Sequence, residues 1–387
     1  MKWKPAFLNI VAPFGFFGAG NIGDESTLQG FARLVAQYSN GFRVWAASRD
    51  PGHTARVEPA FRYYNAEGGD PRKHWALWRA QAQVVIGGTP IMDVLGDWPL
   101  SELTPLVCAA HARGHPVVFV GTGTERLQLE KSRQLIREVI APKVRQWSVR
   151  CERDKERLVD CGVVADRITV ASDLAWLLKP VTAEFGKGYL EQLGVPFDRP
   201  FIGVNVNNEA FVLKQEPQLF EKVAGFLDAM LEKHSLSVLF FCNEVREEED
   251  YDKTAAQRVI AHMKHHERTR LVPNEYWAPQ QMLSLIAGCQ FTISTRYHFC
   301  QFSALQRVPF LALNRSDKVT DLCWDMNWPY GASLQTLSVG GLFDMASEII
   351  SRRAALVASL GDCIRTMGER VTRNRVPLDV LRAEVGK

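Results

Sequence analysis

Short apolar runs alternate with longer amphipathic segments along most of the chain. In the first part we predict six strands, mostly separated by segments of helical periodicity: FLNIVAPF, FRVWAAS, QVVIGG, PVVFVGTGT, VRQWSVR and RITVASDLAWLL. The second part contains five more predicted strands: FIGVNVN, LSVLFFCNE, RTRLVPN, QFTISTRYH and VPFLALNR. Nearly continuous apolar strands that alternate with helices indicate parallel sheets with helices on both faces.

The alternation is interrupted between Lys179 and Pro200, where the segment is rich in glycine and proline. We interpret this segment as a linker with one short helix between two Rossmann-like α/β lobes. The predicted domains are an amino-terminal lobe over 1–183, a carboxy-terminal lobe over 184–345, and a helical tail over 346–387. Because ligands bind beyond the carboxyl ends of parallel strands, we expect a site in a central cleft that both sheets face.

Composition excludes several classes of protein. Of the 387 residues, 46% are hydrophobic and 23% are charged, which is typical of folded soluble chains and argues against intrinsic disorder. The 46 basic residues are nearly balanced by 43 acidic ones, and without a basic stripe we expect no nucleic-acid partner. No uncharged apolar run is long enough to span a membrane, so a transmembrane segment is not expected.

The cysteines and the amino terminus bear on location. None of the eight cysteines forms a C-x-x-C pair, and we interpret them as buried thiols of a reducing cytoplasm. The basic start Met1–Lys4, followed by an apolar stretch, is similar to a signal peptide. Pro5, Asn9 and Pro13 interrupt that stretch, which favours a strand followed by a glycine loop. We therefore expect a cytoplasmic protein.

The glycine loop has the spacing of a dinucleotide-binding motif. Gly18–Gly23 reads G-x-G-x-x-G between a strand and a helix, and Asp50 ends the second predicted strand. Asp24 and Glu25 open the helix, however, and their carboxylates would repel a bound diphosphate. We therefore expect no nicotinamide cofactor. Asp24 is either a helix cap or a residue of the site.

Basic side chains follow a strand in the second lobe. Arg296 and His298 lie in STRYH, at a predicted strand end and just before a helix that starts near Phe299. A helix amino terminus supplies N–H donors and partial positive charge, and histidine titrates near neutral pH. This combination is typical of an anion site. The alternative is that His298 caps its helix and Arg296 pairs with a surface acid.

Two further cations are candidates for the same chemistry. Arg150 ends the fifth predicted strand in Ser148-Val149-Arg150, where its planar fork suits a carboxylate or a phosphate. Lys318 follows the strand VPFLALNR and would add a point charge. The alternatives are an ordinary ion pair for Arg150 and a solvated loop lysine for Lys318.

Taken together, these motifs resemble those of the polysaccharide pyruvyl transferase family over nearly the whole chain. Six elements stand in the family's order: Gly18–Glu25, Gly87-Gly88, Ser148-Val149-Arg150, Asp173 in ASDLAWLL, Arg296–Phe310 and Asp317-Lys318-Val319. The resemblance implies a two-Rossmann fold like that of B-type (GT-B) glycosyltransferases. It also implies transfer of the enolpyruvyl group of phosphoenolpyruvate to two sugar hydroxyls, which forms a pyruvate ketal.

The resemblance also implies partners and roles, with the acceptor on the side of the lobe 1–183 and the donor on the side of the lobe 184–345. The donor is phosphoenolpyruvate, and no other cofactor and no metal is expected. The acceptor is a sugar of an exopolysaccharide or cell-wall glycopolymer precursor, linked to a lipid or a nucleotide. Peripheral membrane contact and the oligomeric state are left open. The expected catalytic residues are His298, Asp24 and Arg150, and the expected substrate-binding residues are Asn21, Gly20, Gly87, Gly88, Arg296 and Lys318.

Among the catalytic residues, His298 is the candidate acid, because an imidazolium is available near neutral pH. Asp24 is the candidate base or orients an acceptor hydroxyl. The chain departs from the family's pattern at Thr89-Pro90, after the glycine pair, and at Cys151–Asp154, after Arg150. These departures either tune the acceptor or mark a relative that uses a different donor.

Two rival functions stay open. The first is a glycosyltransferase of the same fold that uses a nucleotide sugar, with Glu275 and Tyr276 as candidate contacts for the base and ribose. The second is a non-catalytic binding or scaffold protein. Loss of a charged site residue would favour that reading, but Arg150, His298 and Lys318 are all present.

Overall fold

The computed structural model describes residues 7–38, 41–195, 199–245 and 251–385. The basic start Met1–Lys4, which is similar to the start of a signal peptide, lies outside these residues. Within them the chain forms thirteen strands: β1 Leu8–Ala12, β2 Phe42–Ser48, β3 Arg62–Asn65, β4 Ala82–Ile86, β5 Val117–Thr122, β6 Val144–Val149, β7 Ile168–Val170, β8 Phe201–Asn205, β9 Ser237–Phe240, β10 Thr269–Leu271, β11 Cys289–Ser294, β12 Phe310–Asn314 and β13 Gly331–Ser333.

Helices connect these strands and cover the sheets. The α-helices of the described residues are α1 Ile22–Ala36, α2 Pro51–Val57, α3 Pro71–Arg79, α4 Leu100–Ala112, α5 Glu130–Gln134, α6 Glu152–Asp160, α7 Glu184–Gln192, α8 Ala210–Gln215, α9 Leu219–Lys233, α10 Asp252–His262, α11 Pro279–Ile286, α12 Tyr297–Leu305, α13 Asp317–Asp325, α14 Val339–Ser351, α15 Arg353–Arg370 and α16 Arg375–Val385. Among the described helices, none combines the length and the apolar character that crossing a bilayer requires.

The first sheet has seven parallel strands in the order β3-β2-β1-β4-β5-β6-β7. Consecutive residues of β4 face opposite sides: Val84 packs in one core with Phe31 of α1, and Val85 in another with Val107 of α4. Every residue of β4 is buried, because helices cover both faces of the sheet. This double burial explains why the strand is apolar throughout rather than alternating.

The second sheet has six parallel strands in the order β10-β9-β8-β11-β12-β13. Its first five strands repeat the order of the first sheet, with β8 and β11 in the places of β1 and β4. In both sheets the order reverses beside the first strand, and ligands of doubly wound folds bind at such a switch point. The predicted fold class, α/β with two parallel sheets, is confirmed.

The contacts of the chain separate into two units. The first unit comprises residues up to Ala19, Asp24–Leu178, and residues from Thr366 onward; the second comprises Gly20–Gly23 and Lys179–Arg365. The end of α15 and all of α16 therefore pack with the amino-terminal sheet. A division by contacts describes how the chain packs and does not test which parts fold independently. The predicted domain boundaries at 183 and 345 therefore stay predictions.

The predicted strands differ from the observed ones in three places. The four-residue β3 and the three-residue β13 are additional strands; the first begins with an arginine, and the second, GAS, has no large apolar residue. The predicted strand RITVASDLAWLL ends early, at Val170. It ends there because Asp173 caps a short 3₁₀ turn over Leu174–Leu177, accepting a hydrogen bond from the Ala175 N–H.

Candidate active site

Arg150 lies directly after β6 and is buried in the first unit. Its Nε is 3.7 Å from Oδ2 of Asp154, and its Nη1 is 3.8 Å from Oδ2 of Asp173. Its Nη2 donates a long hydrogen bond of 3.4 Å to the Thr89 hydroxyl. The structure therefore brings the predicted arginine together with loops that follow β4 and β7, at the carboxyl edge of the sheet.

A glycine makes room for this guanidinium. A Cβ on Gly123 would lie 1.5 Å from Nη2 of Arg150, so any side chain there would displace the arginine. The Gly123 N–H donates to the Gly88 carbonyl at 2.8 Å. Gly87 and Gly88 have φ of 54° and 66°, the left-handed region that favours glycine. The predicted glycine pair and Arg150 thus belong to one cluster, and Gly123 is a member that the sequence motifs missed.

Both departures from the family's pattern lie beside Arg150. Thr89 supplies the hydroxyl that accepts from its guanidinium. Asp154 is buried, and one of its carboxylate oxygens accepts from the backbone N–H of Thr124 at 2.6 Å and from the Thr124 hydroxyl at 3.0 Å. The Cys151 thiol donates to the other oxygen at 3.4 Å. The departures therefore change the immediate surroundings of the predicted donor-binding arginine.

Arg370 holds this region from the carboxy-terminal end of the chain. Its Nη2 donates to the Arg150 carbonyl at 3.2 Å, and its Nε donates to the Ser172 hydroxyl at 2.8 Å. These bonds fix the backbone after β6 and β7. Arg370 lies 220 residues from Arg150 along the chain, and no local motif marks it.

The glycine loop after β1 is closed by a buried carboxylate. Glu25, in the first turn of α1, accepts a hydrogen bond from the Gly18 N–H at 2.7 Å. Asp50 caps α2 through the His53 N–H at 2.8 Å. A diphosphate at this helix start would meet the Glu25 charge, so the geometry supports the argument against a dinucleotide. Asp24 is half-buried in the same turn, and its predicted role stays a prediction.

The residues just before Asp24 pack with the second unit. The Asn21 side-chain oxygen accepts from the Gly23 N–H at 2.9 Å, which forms a tight turn, and from the Asn243 side chain at 3.4 Å. The Gly20 carbonyl accepts from the Val245 N–H at 2.7 Å. The predicted substrate-binding pair Gly20 and Asn21 is thereby attached to the loop that follows β9.

The same segment touches His298. This histidine is the second residue of α12 and is half-buried. A Cβ on Gly23 would lie 2.2 Å from its Nδ1, so the glycine backbone packs directly on the imidazole. The Tyr297 ring stands edge-on at 5.1 Å. The structure thus brings the predicted acid next to the predicted amino-terminal element, which the sequence separates by more than 270 residues.

Arg296 is held by carboxylates. Its guanidinium donates to Asp252 at 2.6 and 3.0 Å, contacts Glu244 at 2.5 Å, and lies 3.7 Å from Glu209. Burial lowers the pKa of Arg296, but these three carboxylates raise it above its ordinary value. Arg296 therefore pairs with acids, as the alternative interpretation expected, but Asp252 and Glu244 are buried and do not lie on the surface. Direct substrate contact by Arg296 stays a prediction, and the geometry favours a positioning role.

Asp252 organises the strand ends around Arg296. Besides the guanidinium it accepts from the Asn205 side chain at 2.9 Å and from the N–H groups of Asn243 and Glu244 at 2.9 and 3.1 Å. One buried carboxylate thus ties together the segments after β8, β9 and β11. Sequence reasoning missed Asp252, because it opens a helix in an acidic run that reads as a solvated surface.

Two buried polar side chains lie where β8 and β11 end. Asn207 accepts from the Glu209 N–H at 2.7 Å, and its side-chain nitrogen has no hydrogen-bond partner among the described residues. The Thr295 hydroxyl likewise has none within that part of the chain. Both residues are fully buried at the switch point of the second sheet. Sequence reasoning missed Asn207, and the polar run Asn207-Asn208-Glu209 shortly after β8 is the signal that could have found it.

Lys318 is the second residue of α13, a helix where the sequence suggested a loop. Lys318 is half-buried, and its positive charge lowers the pKa of Glu209. Burial raises the pKa of Glu209, but Arg315, Arg296 and Lys318 together lower it to about 2. The alternative of a fully solvated loop lysine does not describe Lys318, because the structure places it in a helix near this carboxylate.

Solved structures similar to this one share its fold at low sequence identity. A putative UDP-N-acetylglucosamine 2-epimerase from Listeria monocytogenes has a TM-score of 0.66 at 11% identity, covering 97% of this chain and 96% of that one. Anabaena Alr3699/HepE, solved with UDP and glucose, has a TM-score of 0.64 at 11% identity, covering 97% and 100%. A Rickettsia africae glycosyltransferase reaches 0.57 at 10% identity, covering 98% of each chain. These likenesses support the predicted GT-B-like fold.

Sequence relatives point to the family. The amylovoran biosynthesis protein AmsJ from Erwinia amylovora is 23% identical over 317 residues, which cover 79% of this chain and 74% of AmsJ. The family model for polysaccharide pyruvyl transferase matches residues 21–317. That range includes Asn21, Arg150 and His298, whose surroundings are described above. The resemblance seen in the motifs is confirmed: the chain belongs to the polysaccharide pyruvyl transferase family, and it is a transferase.

Proposed function

We propose that the protein transfers the enolpyruvyl carbon skeleton of phosphoenolpyruvate to two hydroxyls of one sugar in a polysaccharide or glycopolymer precursor. The products are a cyclic pyruvate ketal and inorganic phosphate. The family match over 21–317 carries this proposal. Gly20 and Lys318 lie one residue outside the matched range, and their part in it rests on the motifs.

The reaction balances without another reactant. The methylene carbon of the donor gains a proton and becomes a methyl group, while the oxygen of one sugar hydroxyl bonds to the adjacent carbon. The second hydroxyl then bonds to the same carbon as the bond to the phosphate oxygen breaks. The two hydroxyl protons balance the proton gained by the methyl group and the one carried by phosphate. The site therefore needs a proton donor, a proton acceptor and cations for a multiply charged anion.

Arg150 is the proposed donor-binding cation. Its guanidinium lies at the carboxyl edge of the first sheet, 3.7 Å from Asp154 and 3.8 Å from Asp173. The planar fork of arginine matches a carboxylate or a phosphate in bidentate geometry. Lys318, at the start of α13, is a second cation proposed to act on the donor.

His298 is the proposed acid, and Asp24 is the proposed base. The first-turn position of His298 on α12 places it near N–H groups that attract anions, and an imidazole can act as a general acid. The backbone of Gly23 limits where the imidazole can point. Asp24, the next residue, carries a half-buried carboxylate that can accept a proton or a hydrogen bond from a sugar hydroxyl.

The acceptor and the location extend the same proposal. A lipid-linked or nucleotide-linked sugar is the acceptor that suits the assembly of a polymer from precursors. A cytoplasmic site of action suits the cysteines, since all eight are free thiols and six of them are buried. No cofactor other than the donor substrate is proposed.

Incubation with phosphoenolpyruvate and lipid-linked or nucleotide-linked sugars, followed by mass spectrometry, tests the proposal. We expect the mass of a pyruvate ketal on the acceptor and equimolar release of phosphate. Transfer of sugar from a nucleotide sugar, without ketal formation, would instead establish the glycosyltransferase alternative. Glu275, a candidate contact of that alternative, accepts a hydrogen bond from Tyr189 at 3.1 Å. If neither reaction occurs with any acceptor of a broad set, the result would favour a binding protein.

A further inference from the structure

Helix α3 exposes two indole rings to solvent. Trp78 is 78% exposed and Trp75 is 40% exposed. Ala76 is the buried residue of this nine-residue helix. The largest apolar side chains of α3 therefore face outward, which is the reverse of what a helix needs in order to pack on a sheet. Exposed large apolar groups in a cluster mark an interaction surface more often than chance.

Arginine side chains lie on these rings. The Trp45 and Trp75 rings meet edge to face, with centroids 5.1 Å apart. The Arg62 guanidinium lies 5.5 Å from the Trp45 ring centre, and that of Arg79 lies 5.0 Å from the Trp75 ring centre. Trp78 stands three positions after Trp75, on the neighbouring turn of the same helix. We call these five residues the tryptophan–arginine patch.

The charge of this surface is positive. Helix α3 carries Arg72, Lys73 and Arg79 and contains no acidic residue. Asp70, just before the helix, pairs with Arg72 at 2.8 Å and offsets that one charge. The charge of Lys73 and Arg79 is not offset in this way within α3. A ligand that suits the surface therefore combines negative charge with apolar or interfacial character.

A groove opens beside the patch at the edge of the first sheet. It has a volume of about 550 Å³, and its lining includes Trp45, Phe61, Arg62, Tyr63, Asn65 and Arg72. Two of these side chains are cationic and three are aromatic. The groove is thus large enough for a polar headgroup and has the charge to attract an anionic one.

We propose that the tryptophan–arginine patch docks the protein on an anionic phospholipid surface. Tryptophan is enriched where membranes meet water, because its ring is apolar and its N–H is polar. Arginine and lysine beside it are attracted to the negative surface potential of anionic lipids. Short helices with tryptophan and basic residues lie in this interface without spanning the bilayer. The inference is independent of the proposed reaction.

Two other occupants fit the patch less well. A second copy of the chain would bring Lys73 and Arg79 against their own symmetry mates, which repels. A neutral glycan would gain no electrostatic attraction from Lys73 and Arg79, whereas an anionic surface would. Charge complementarity therefore selects the anionic lipid surface.

Co-sedimentation of the full chain with vesicles tests the proposal. We expect binding to vesicles that contain phosphatidylglycerol, weaker binding as salt rises, and none to pure phosphatidylcholine. Arg79→Glu should weaken binding about 25-fold, since each change of one charge near the surface changes affinity about fivefold. Trp78→Ala should weaken binding about tenfold, through lost burial of the indole. Melting temperatures should stay close to wild type, because both side chains are exposed.

Two matched variants separate this site from general effects. Trp324→Ala removes an indole that is 50% exposed on α13, and Arg365→Glu makes the same change of net charge on α15. Both should bind phosphatidylglycerol vesicles as the wild type does. Equal losses in Arg79→Glu and Arg365→Glu would overturn the proposal, as would absence of vesicle binding. Dimers that Trp78→Ala disperses, or binding of an acidic polysaccharide in place of vesicles, would also overturn it.

Discussion

A buried arginine follows a strand end in each unit: Arg150 directly after β6, and Arg296 two residues after β11. Their surroundings differ. Arg296 hydrogen-bonds to Asp252 at 2.6 and 3.0 Å and contacts Glu244 at 2.5 Å. Within its own unit, the carboxylates nearest to Arg150 lie at 3.7 and 3.8 Å. The two arginines therefore lie at similar places in similar sheets, but their contacts differ.

This difference separates a binding role from a positioning role. A guanidinium that hydrogen-bonds to buried carboxylates has most of its donors engaged, and removing it leaves those carboxylates uncompensated. A guanidinium that packs on glycine backbone beyond a strand end has geometry that suits an anionic ligand. We therefore expect Arg296 to act mainly on stability and Arg150 mainly on donor binding.

The largest expected effect concerns His298, which shares the second unit with Arg296. His298→Gln should slow turnover by about 10²–10⁴-fold, because glutamine can donate a hydrogen bond but cannot deliver a proton. Donor affinity and folding should change much less. Steady-state kinetics at saturating acceptor measures this, with His111→Gln as a control on α4. An unchanged maximal rate with a raised apparent donor constant would show that His298 only binds the anion.

Arg296→Met should reduce the free energy of unfolding by about 3–5 kcal/mol, because Asp252 and Glu244 would stay buried without their cation. Urea unfolding measures this effect, and Arg296→Lys, which keeps the charge but not the fork, should lose less. A stable Arg296→Met protein that fails to bind phosphoenolpyruvate would reverse the roles assigned to the two arginines.

Gly123→Ala sharpens the comparison without removing any charge. The new Cβ would overlap the far end of the Arg150 side chain, which can move, so the cost in stability should be small. The displaced guanidinium should weaken donor binding about tenfold or more, the value of one charge-assisted hydrogen bond. Calorimetric titration checks this. Gly188→Ala is the matched control, since a Cβ there meets nothing within 4 Å, and it should bind as wild type.

The smallest effect follows from Glu209. Its pKa of about 2 in the folded protein is below the ordinary 4.5, so its stabilising contribution is present above pH 4.5 and is lost as pH falls towards 2. Glu209→Gln should lower stability at neutral pH by about 1–3 kcal/mol and should lose less on acidification than wild type. Urea unfolding at neutral and acid pH measures both. If the unfolding free energies of the two proteins fell equally between neutral and acid pH, Glu209 would not be the group that causes the loss of stability.

Local patterns predicted the parallel sheets well, since strands such as β4 and β11 are apolar and their helices are amphipathic. They missed β3 and β13, because such short strands gain their stability from neighbours rather than from their own residues. Helix α13 was missed because its first residues, Asp317-Lys318, read as a loop motif.

The positions of Arg150 and His298 shortly after strand ends were predictable from the sequence, while their roles stay predictions. The site was not predictable where the role of a residue depends on distant segments. Asp252 acts through the backbone of the loop after β9, and Arg370 acts through the carbonyl of Arg150. Likewise, the importance of Gly123 and Gly23 is visible only in the folded chain, where an added Cβ would overlap the side chain of Arg150 or His298.

Titration of phosphoenolpyruvate into wild type and Arg150→Ala, beside urea unfolding of the same proteins, tests the central claim most directly. That claim is that Arg150 binds the anionic donor. We predict that phosphoenolpyruvate binds wild type and NAD(H) does not, and that Arg150→Ala weakens donor binding by about 10–150-fold, the value of 1.5–3 kcal/mol, with a smaller loss in unfolding free energy. Wild-type donor affinity in a folded Arg150→Ala protein, or binding of NAD(H) in place of phosphoenolpyruvate, would contradict it.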